Sequence, residues 1–256
     1  MMNGKTRKKL ISLLIFALIV VLCGCIDGEP EHDLNESDLL EPNENDITLN
    51  MTESSPISYL LPAPEITGDL SVEEALESRR SRRNFNDKAL SAEQLSQILW
   101  AAYGITEPGR GLRTAPSAGA IYPLEIYAVV GNVENIEAGL FKYDPTDHKI
   151  LLVKSGDIRG ELSAAALNQA MITTAPVTIV YTAMFDRIEE RYGERGRERY
   201  VFMEIGHSAQ NIYLQAEAMG LGTCAIGAFA DDHVKEILDL PVDEAPLYFL
   251  PVGHVG

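Results

Sequence analysis

The order of charged and apolar residues in the first part of the chain limits where a folded core can form. Residues 1–9 carry four basic side chains and no acid, the apolar run Leu10–Leu22 follows, and no Lys or Arg occurs again before Arg79. A positive segment followed by an apolar stretch of this length is typical of a signal peptide and is short for a transmembrane helix. We therefore expect residues 1–24 to be a signal peptide, with an uncleaved N-terminal membrane anchor as the alternative.

The end of the apolar run, Leu22-Cys23-Gly24-Cys25, resembles the lipobox of a lipoprotein, in which Cys25 would carry the lipid. Positive residues stay on the cytoplasmic side of a membrane. Both interpretations of the leader therefore place the rest of the chain outside the cytoplasm. The expected location is extracytoplasmic and membrane-anchored, through a lipid on Cys25 or through an N-terminal helix.

Residues 25–56 have the composition of a tether. Ten Asp and Glu fall between Asp27 and Glu53, together with three prolines and no aromatic residue in the segment. Such a segment buries too little apolar surface to offset its ordering entropy, and it has no calcium-loop spacing. We expect a disordered acidic tether, followed by a folded domain over residues 57–256.

The composition excludes several kinds of site. The chain has 21 Lys and Arg against 38 Asp and Glu, a formal net charge of −17. That balance argues against a nucleic-acid partner, because neutralising phosphates requires a basic surface. Three cysteines and five scattered histidines, without a His-x₃-His pair, predict no metal site. Cys224 follows a glycine-rich stretch and is expected to be a buried small side chain.

Periodicity in residues 57–256 predicts mixed helices and strands without a repeated β-α-β unit. Capping boxes at Ser71–Glu74 and Ser91–Gln94 predict two helix starts. Apolar, β-branched runs predict strands at 126–130, 177–182 and 247–250 and a hairpin of 139–143 with 149–153. A long helix is predicted over 197–219, with a buried face formed by Phe202, Ile205, Ala209, Ile212 and Ala216. The pattern favours an α+β fold over a doubly wound sheet.

Three segments have the composition of a ligand site. Residues 79–83 read Arg-Arg-Ser-Arg-Arg, and arginine forks bind phosphate oxygens, although they also complement the carboxyl end of a helix. Residues 114–123, Thr-Ala-Pro-Ser-Ala-Gly-Ala-Ile-Tyr-Pro, combine small residues and prolines and let backbone amides approach a flat ligand. Residues 220–227, Gly-Leu-Gly-Thr-Cys-Ala-Ile-Gly, by themselves indicate only a helix end and a turn.

Together and in this order, the three segments resemble the FMN-dependent nitroreductase family over about residues 70–256. The resemblance implies that one group of residues holds the FMN phosphate and pyrimidine edge: Arg79, Arg80, Ser81 and Arg83. It implies that a second group reaches the flavin of the partner subunit: Pro116, Ser117, Ala118 and Gly119. It implies that a third group lies beside the isoalloxazine ring: Ala225, Ile226 and Gly227.

The same resemblance implies a nitroreductase-like α+β homodimer with a central, mostly antiparallel sheet, flanking helices and cofactor sites at the subunit interface. The implied reaction is ping-pong: NAD(P)H or another two-electron donor passes a hydride to flavin N5, and a small-molecule or peptide-like substrate then reacts. The alternative is an extracytoplasmic lipoprotein that binds a ligand or a flavin without turnover.

Within the family, residues 116–123, Glu204–Tyr213 and Pro251–Gly253 most resemble the SagB-type azoline-dehydrogenase branch. That branch uses a Lys-Tyr pair ahead of the long helix as acid and base, and the corresponding residues here are Arg191-Tyr192. Arginine stays protonated and is a poor base, so Tyr192 is the candidate catalytic residue, with simple packing as its alternative. Family members also place a basic residue beyond the last strand. The sequence stops at Gly256, so we expect the phosphate to depend on the arginine cluster.

Overall fold

The computed structural model describes residues 56–256, so the predicted signal peptide, Cys25 and nearly all of the predicted tether lie outside the described residues. The strands are β1 (Ser58–Leu60), β2 (Ile105–Glu107), β3 (Leu112–Arg113), β4 (Leu124–Val130), β5 (Gly139–Asp144), β6 (Lys149–Ser155), β7 (Val177–Met184), β8 (Leu221–Thr223) and β9 (Glu244–His254). The α-helices are α1 (Val72–Ser78), α2 (Ala92–Tyr103), α3 (Arg159–Ala165), α4 (Met171–Thr174), α5 (Phe185–Tyr192), α6 (Val201–Ala218) and α7 (Asp231–Leu238). None of the helices in residues 56–256 is long and apolar enough to cross a bilayer.

Seven strands form one sheet in the order β1-β6-β5-β4-β7-β9-β8, and every pairing between them is antiparallel. The short strands β2 and β3 form a separate hairpin. The predicted internal strands and the predicted hairpin of β5 with β6 are confirmed. The last strand is longer than predicted, because β9 pairs with β7 along one edge and with β8 along the other.

Helices cover both faces of the sheet. In β4, Ile126 and Ala128 face a core that contains α2 and α6, whereas Tyr127 and Val129 face a second core with α3 and α7. A strand buried on both faces has a continuous apolar sequence and no polar alternation, as residues 126–130 do. The predicted α+β fold, with a central antiparallel sheet flanked by helices, is confirmed.

Local sequence signals set the helix starts. The hydroxyl of Ser71 accepts a hydrogen bond from the Glu74 backbone N–H, and the Glu74 carboxylate accepts one from the Ser71 backbone N–H. The same reciprocal pair joins Ser91 and Gln94 at the start of α2. Both predicted capping boxes are therefore confirmed.

The long helix differs from the prediction at its amino end. Residues 197–218 are helical, as predicted, but Gly196–Tyr200 forms a wider π-helical turn that precedes α6. Four of the five predicted core residues are buried, but Phe202 is 53% exposed and packs beside Phe185 of α5. Its predicted burial is wrong because the buried stripe begins at Val201, one position earlier.

Candidate functional site

A tyrosine of α6 joins the arginine-rich segment to the glycine-rich turn. Tyr213 Oη accepts a hydrogen bond from Ala225 N at 2.8 Å and lies 3.1 Å from Ser81 Oγ. The guanidinium carbon of Arg79 lies 5.2 Å from the centroid of the same ring. Two of the three predicted segments therefore meet at Tyr213. Its only sequence signal is its place at the end of the segment Glu204–Tyr213.

Backbone pairing fixes the register of these two segments. Ser81 forms a parallel bridge with Thr223, and Arg82 N donates to Thr223 O at 2.8 Å. A Cβ at Gly222 would lie 2.7 Å from Arg82 Cβ, so only glycine permits this approach. Ser81 and Arg82, in the middle of the arginine-rich segment, are thus held against the end of β8 by main-chain contacts.

Most of the charge in the arginine cluster has no carboxylate partner. Arg82 pairs weakly with Glu217, with Nη2 and Oε1 3.9 Å apart. Within residues 56–256, Arg79, Arg80 and Arg83 form no salt bridge. Arg80 donates to two carbonyl oxygens at the end of α1, each at 2.8 Å, so it also complements that helix terminus. Guanidinium groups without carboxylate partners, with the Ser81 hydroxyl beside them, are a donor set that fits a phosphate.

In the turn at residues 225–227, one of the three backbone N–H groups is free to donate a hydrogen bond to a ligand. Ile226 exchanges two backbone hydrogen bonds with Phe249, at 2.8 and 2.9 Å, and its side chain is buried in the core. The Ala225 N–H donates to Tyr213. Among the described residues, the Gly227 N–H has no hydrogen-bond acceptor, and the residue is exposed. Gly227 is therefore the member of the three whose N–H is available.

Cys224, between these two features, is fully buried, and burial raises the pKa of its thiol. A protonated, buried thiol is a poor nucleophile. The prediction that Cys224 is a small packed side chain is confirmed.

The Pro116–Gly119 segment begins a stretch of backbone with left-handed φ values. Its Ser117 Oγ accepts from Tyr122 N at 2.9 Å, and Gly119 has a φ of 63°. The non-glycine residues Ala120 and Tyr122 also have left-handed φ values of 53° and 55°. In the described part of the chain, no hydrogen bond or ion pair joins 116–119 to 79–83 or 225–227. Strained backbone of this kind persists only where surrounding contacts enforce it.

A buried polar cluster supports this strained segment. The carboxylate of Glu204 in α6 accepts a hydrogen bond from the hydroxyl of Tyr103. Glu204 is 2% exposed, and this burial raises the pKa of its carboxyl group. The Arg113 guanidinium lies between the rings of Tyr103 and Tyr122, 4.3 and 4.6 Å from their centroids. The cluster ties α2 and α6 to residue 122. Sequence patterns indicate none of this, because its members are far apart in the chain.

The last two residues of α5 contact the same segment. A Cβ at Gly119 would lie 2.7 Å from Tyr192 Oη and 2.9 Å from Arg191 Nη1. Tyr192 packs edge-on against Tyr200, with ring centroids 5.2 Å apart. The candidate catalytic residue Tyr192 is therefore half-buried, with its hydroxyl beside the second predicted segment.

A cavity of about 750 Å³ opens elsewhere, between α1, α2 and α6, with Gln97, Trp100, Asn211 and Met219 among its walls. None of the predicted cofactor-binding residues lines it. Over residues 56–256, no group of three His, Cys, Asp or Glu side chains is arranged to hold a metal ion. The predicted residues thus lie around Tyr213 and Gly119, outside this cavity.

Comparison with known proteins assigns the chain to a family. A family model described as the nitroreductase family matches residues 76–254. A protein of Methanocaldococcus jannaschii named as a nitroreductase is 45% identical over 186 residues, which cover 73% of this chain and 92% of that protein. A crystal structure from Ralstonia eutropha, also named as a nitroreductase, superposes with a TM-score of 0.69 at 29% identity. That superposition covers 78% of this chain and 90% of the other.

Two further relatives have names that specify an activity. The microcin B17-processing protein of Escherichia coli is 28% identical over 163 residues, covering 61% of this chain and 60% of that protein. The FMN reductase (NADPH) of Bacillus subtilis is 25% identical over 194 residues, covering 71% of this chain and 64% of that protein. These relatives, the fold and the match over residues 76–254 agree, and the chain belongs to the nitroreductase family.

Proposed function

We propose that this chain is an FMN-dependent oxidoreductase that moves two electrons from NAD(P)H, or another two-electron donor, to a small organic or peptide-like acceptor. One observation carries the proposal: Arg79, Ser81 and Ala225 of the turn after β8 all contact Tyr213, and Arg79 forms no salt bridge among residues 56–256. A related flavin reductase and a related peptide-processing protein support the cofactor and the acceptor class.

In this proposal the arginine cluster binds the phosphate and the pyrimidine edge of FMN. Arg79, Arg80 and Arg83 supply positive charge, and Ser81, held by Tyr213, supplies a hydroxyl. Bound flavin supplies hydride acceptance and donation at N5. The cationic side chains also stabilise the negative charge that accumulates when the ring is reduced.

The turn that follows β8 orients the ring. Ala225 N is held by Tyr213 and Ile226 by Phe249, so the backbone that leads into Gly227 is fixed by two contacts. We assign the unpartnered Gly227 N–H as the donor to the ring, with Ala225 in contact and Ile226 as its buried support.

We further infer a homodimer in which Pro116, Ser117, Ala118 and Gly119 reach the flavin bound to the other subunit. The lack of any hydrogen bond or ion pair between them and the arginine cluster among residues 56–256 supports this arrangement. The outer face of α6 also carries Phe202 and Met203, each 53% exposed, followed one turn later by the exposed Gly206 and His207. Adjacent large apolar side chains on an uncovered helix are typical of a surface that another protein covers.

We propose that Tyr192 delivers a proton to the substrate, and the closeness of its hydroxyl to Gly119 supports this role. Its neighbour Arg191 cannot act as the base of an azoline dehydrogenase, since a guanidinium stays protonated. We propose the SagB-type branch on the likeness to the microcin B17-processing protein, with a peptide-like substrate and with Tyr192, in place of Arg191, as the residue that transfers the proton.

We also propose that residues 1–24 are removed during export, that Cys25 is lipidated and that residues 25–56 tether the domain of residues 57–256 outside the membrane. Metabolic labelling with a radioactive fatty acid tests this assignment. Labelling of the parent chain and its loss in Cys25→Ser is the expected result. An unlabelled parent chain in the soluble fraction would overturn it.

The visible spectrum of the purified full-length chain tests the cofactor assignment. We expect flavin absorbance that bleaches with NAD(P)H or dithionite and returns when an acceptor is added. A colourless protein that takes up no added FMN would overturn the proposal, and a yellow protein that never turns over would favour the non-catalytic alternative.

Arginine variants localise the bound FMN. A charge-assisted contact is worth about 1.5–3 kcal/mol, so Arg79→Ala or Arg83→Ala should weaken FMN binding roughly 10–100-fold. The matched control is Arg110→Ala, which removes an exposed arginine paired only with Glu107. Equal FMN retention in all three variants would contradict the assigned role.

A further inference from the structure

The guanidinium of Arg191 lies against the backbone of Gly119. A side chain at residue 119 would occupy the same space. Arg191 Nη1 lies 3.5 Å from Gly119 O, and its guanidinium carbon is 5.4 Å from the ring centroid of Tyr192. Both Arg191 Nη1 and Tyr192 Oη come within 3 Å of the place where a Cβ of residue 119 would sit. The absent side chain at Gly119 thus makes room for a guanidinium and a phenol side by side.

Unlike two of its neighbours, Arg191 has no carboxylate partner. Five arginines fall between residues 187 and 199. Arg187 pairs with Glu125 at 2.6 Å, and Arg197 pairs with Glu189 at 3.3 Å. Across residues 56–256, Arg191 forms no salt bridge, and its side chain is exposed. Its charge and most of its N–H donors remain available to a ligand.

We propose that Arg191 binds an anionic group of the electron acceptor and so makes the enzyme select acceptors that carry a carboxylate. The inference rests on the proposed function, since it places the acceptor beside Gly119 and Tyr192. A guanidinium offers a planar pair of N–H donors that matches the two oxygens of a carboxylate. Arg191 then anchors the acceptor while the neighbouring hydroxyl of Tyr192 is the group able to exchange a proton.

The carboxylate takes no part in the electron transfer itself. With a nitroaromatic acid the balanced step is R–NO₂ + FMNH⁻ + H⁺ → R–NO + FMN + H₂O. Two electrons leave the reduced cofactor, the nitro group loses one oxygen as water, and the carboxylate remains bound to Arg191. Because this contact is equally present before and during the transfer, its loss should weaken acceptor binding and leave the limiting rate unchanged.

Reoxidation of the reduced full-length chain by two matched acceptors tests the inference. The protein is reduced with stoichiometric dithionite without oxygen, then mixed with 4-nitrobenzoate, which is ionised at pH 7, or with neutral 4-nitrobenzyl alcohol. Flavin absorbance gives the acceptor dissociation constant and the limiting rate constant separately. Dithionite makes the result independent of the natural electron donor.

Three variants decide the outcome. We expect Arg191→Gln to weaken binding of 4-nitrobenzoate about tenfold, with little change for the alcohol, and Arg191→Lys to restore part of the loss. The control, Arg195→Gln, removes another exposed arginine without a salt bridge in the described chain, and it should keep the parent preference.

The failures of the two proposals are distinct. Equal dissociation constants for both acceptors in a flavin-containing parent chain would overturn the role of Arg191 alone. The role of Arg191 is also overturned if Arg195→Gln loses the preference for 4-nitrobenzoate over the alcohol as fully as Arg191→Gln does. The preference would then come from general electrostatic attraction to positive charge. A protein that binds no FMN, or whose reduced flavin reacts with neither acceptor, would overturn the proposed function together with this inference.

Discussion

Replacing Tyr213 by Phe removes one hydroxyl and leaves the ring that contacts Arg79. That hydroxyl accepts from Ala225 N at 2.8 Å and lies 3.1 Å from Ser81 Oγ. Tyr213→Phe therefore removes the side-chain link between the two segments of the proposed flavin site, while their backbone pairing at Thr223 and the packing of α6 remain.

The magnitude follows from the two contacts. Leaving a buried backbone N–H without its acceptor costs about 1–3 kcal/mol. Ala225 is half-buried and Ser81 is exposed, so the lower part of that range, about 1–1.5 kcal/mol, applies. For a folded region of this size, each kcal/mol lowers Tm by roughly 2–4 °C. We expect Tyr213→Phe to melt about 2–6 °C below the parent chain without FMN.

Thermal melting with and without FMN measures both consequences. Because Ser81 and Ala225 are then less firmly held, the stabilisation that saturating FMN gives to the parent chain should shrink in the variant. Tyr59→Phe is the control, since the Tyr59 hydroxyl makes no hydrogen bond among residues 56–256 and its ring packs against Phe141. A Tyr213→Phe variant that melts like Tyr59→Phe, with the parent response to FMN, would refute the central role of this hydroxyl.

Three further outcomes are expected. Gly119→Ala places a Cβ on a residue with a φ of 63° and near Tyr192 Oη, so it should lower the free energy of unfolding in urea by about 1–2 kcal/mol. Gly160→Ala is the control and should change it little, because a Cβ there has free space and the backbone φ is not left-handed. Burial lowers the pKa of His148 below its ordinary 6.5, so His148 stabilises the fold above that pH and the contribution is lost as pH falls. The difference in urea midpoint between the parent and His148→Asn should therefore shrink from pH 7.5 to 5. Because burial raises the pKa of the Cys224 thiol, iodoacetamide should label it only in urea, and rapid labelling of Cys224 itself in the native chain, located by peptide mapping, would contradict its burial.

Features with a local physical cause were predictable from sequence. The capping boxes at Ser71 and Ser91 depend on side chains three residues apart, and both are present. Runs of apolar, β-branched residues identified the central strands, because strands buried on both faces need no polar alternation. Phe202 was predicted on the wrong face because a one-position shift at a helix start rotates a side chain by about 100°.

Features that depend on distant residues were not predictable from periodicity. Tyr213 is 132 positions from Ser81, and their contact exists only because α6 ends beside β8. The Tyr103–Glu204 contact joins residues 101 positions apart. The resemblance to a family identified the three segments, but periodicity alone indicates neither that two of them meet within one chain nor that Arg191 lies against Gly119.

A comparison of FMN with riboflavin tests the central claim most directly, because the two flavins differ only in the phosphate assigned to the arginine cluster. Dissociation constants are measured by fluorescence titration of the full-length chain and of Arg79→Ala and Arg83→Ala. The parent chain should bind FMN much more tightly than riboflavin, and each substitution should reduce this preference by weakening FMN binding more than riboflavin binding. Equal affinity of the parent chain for the two flavins, or a preference that survives both substitutions, would contradict the account.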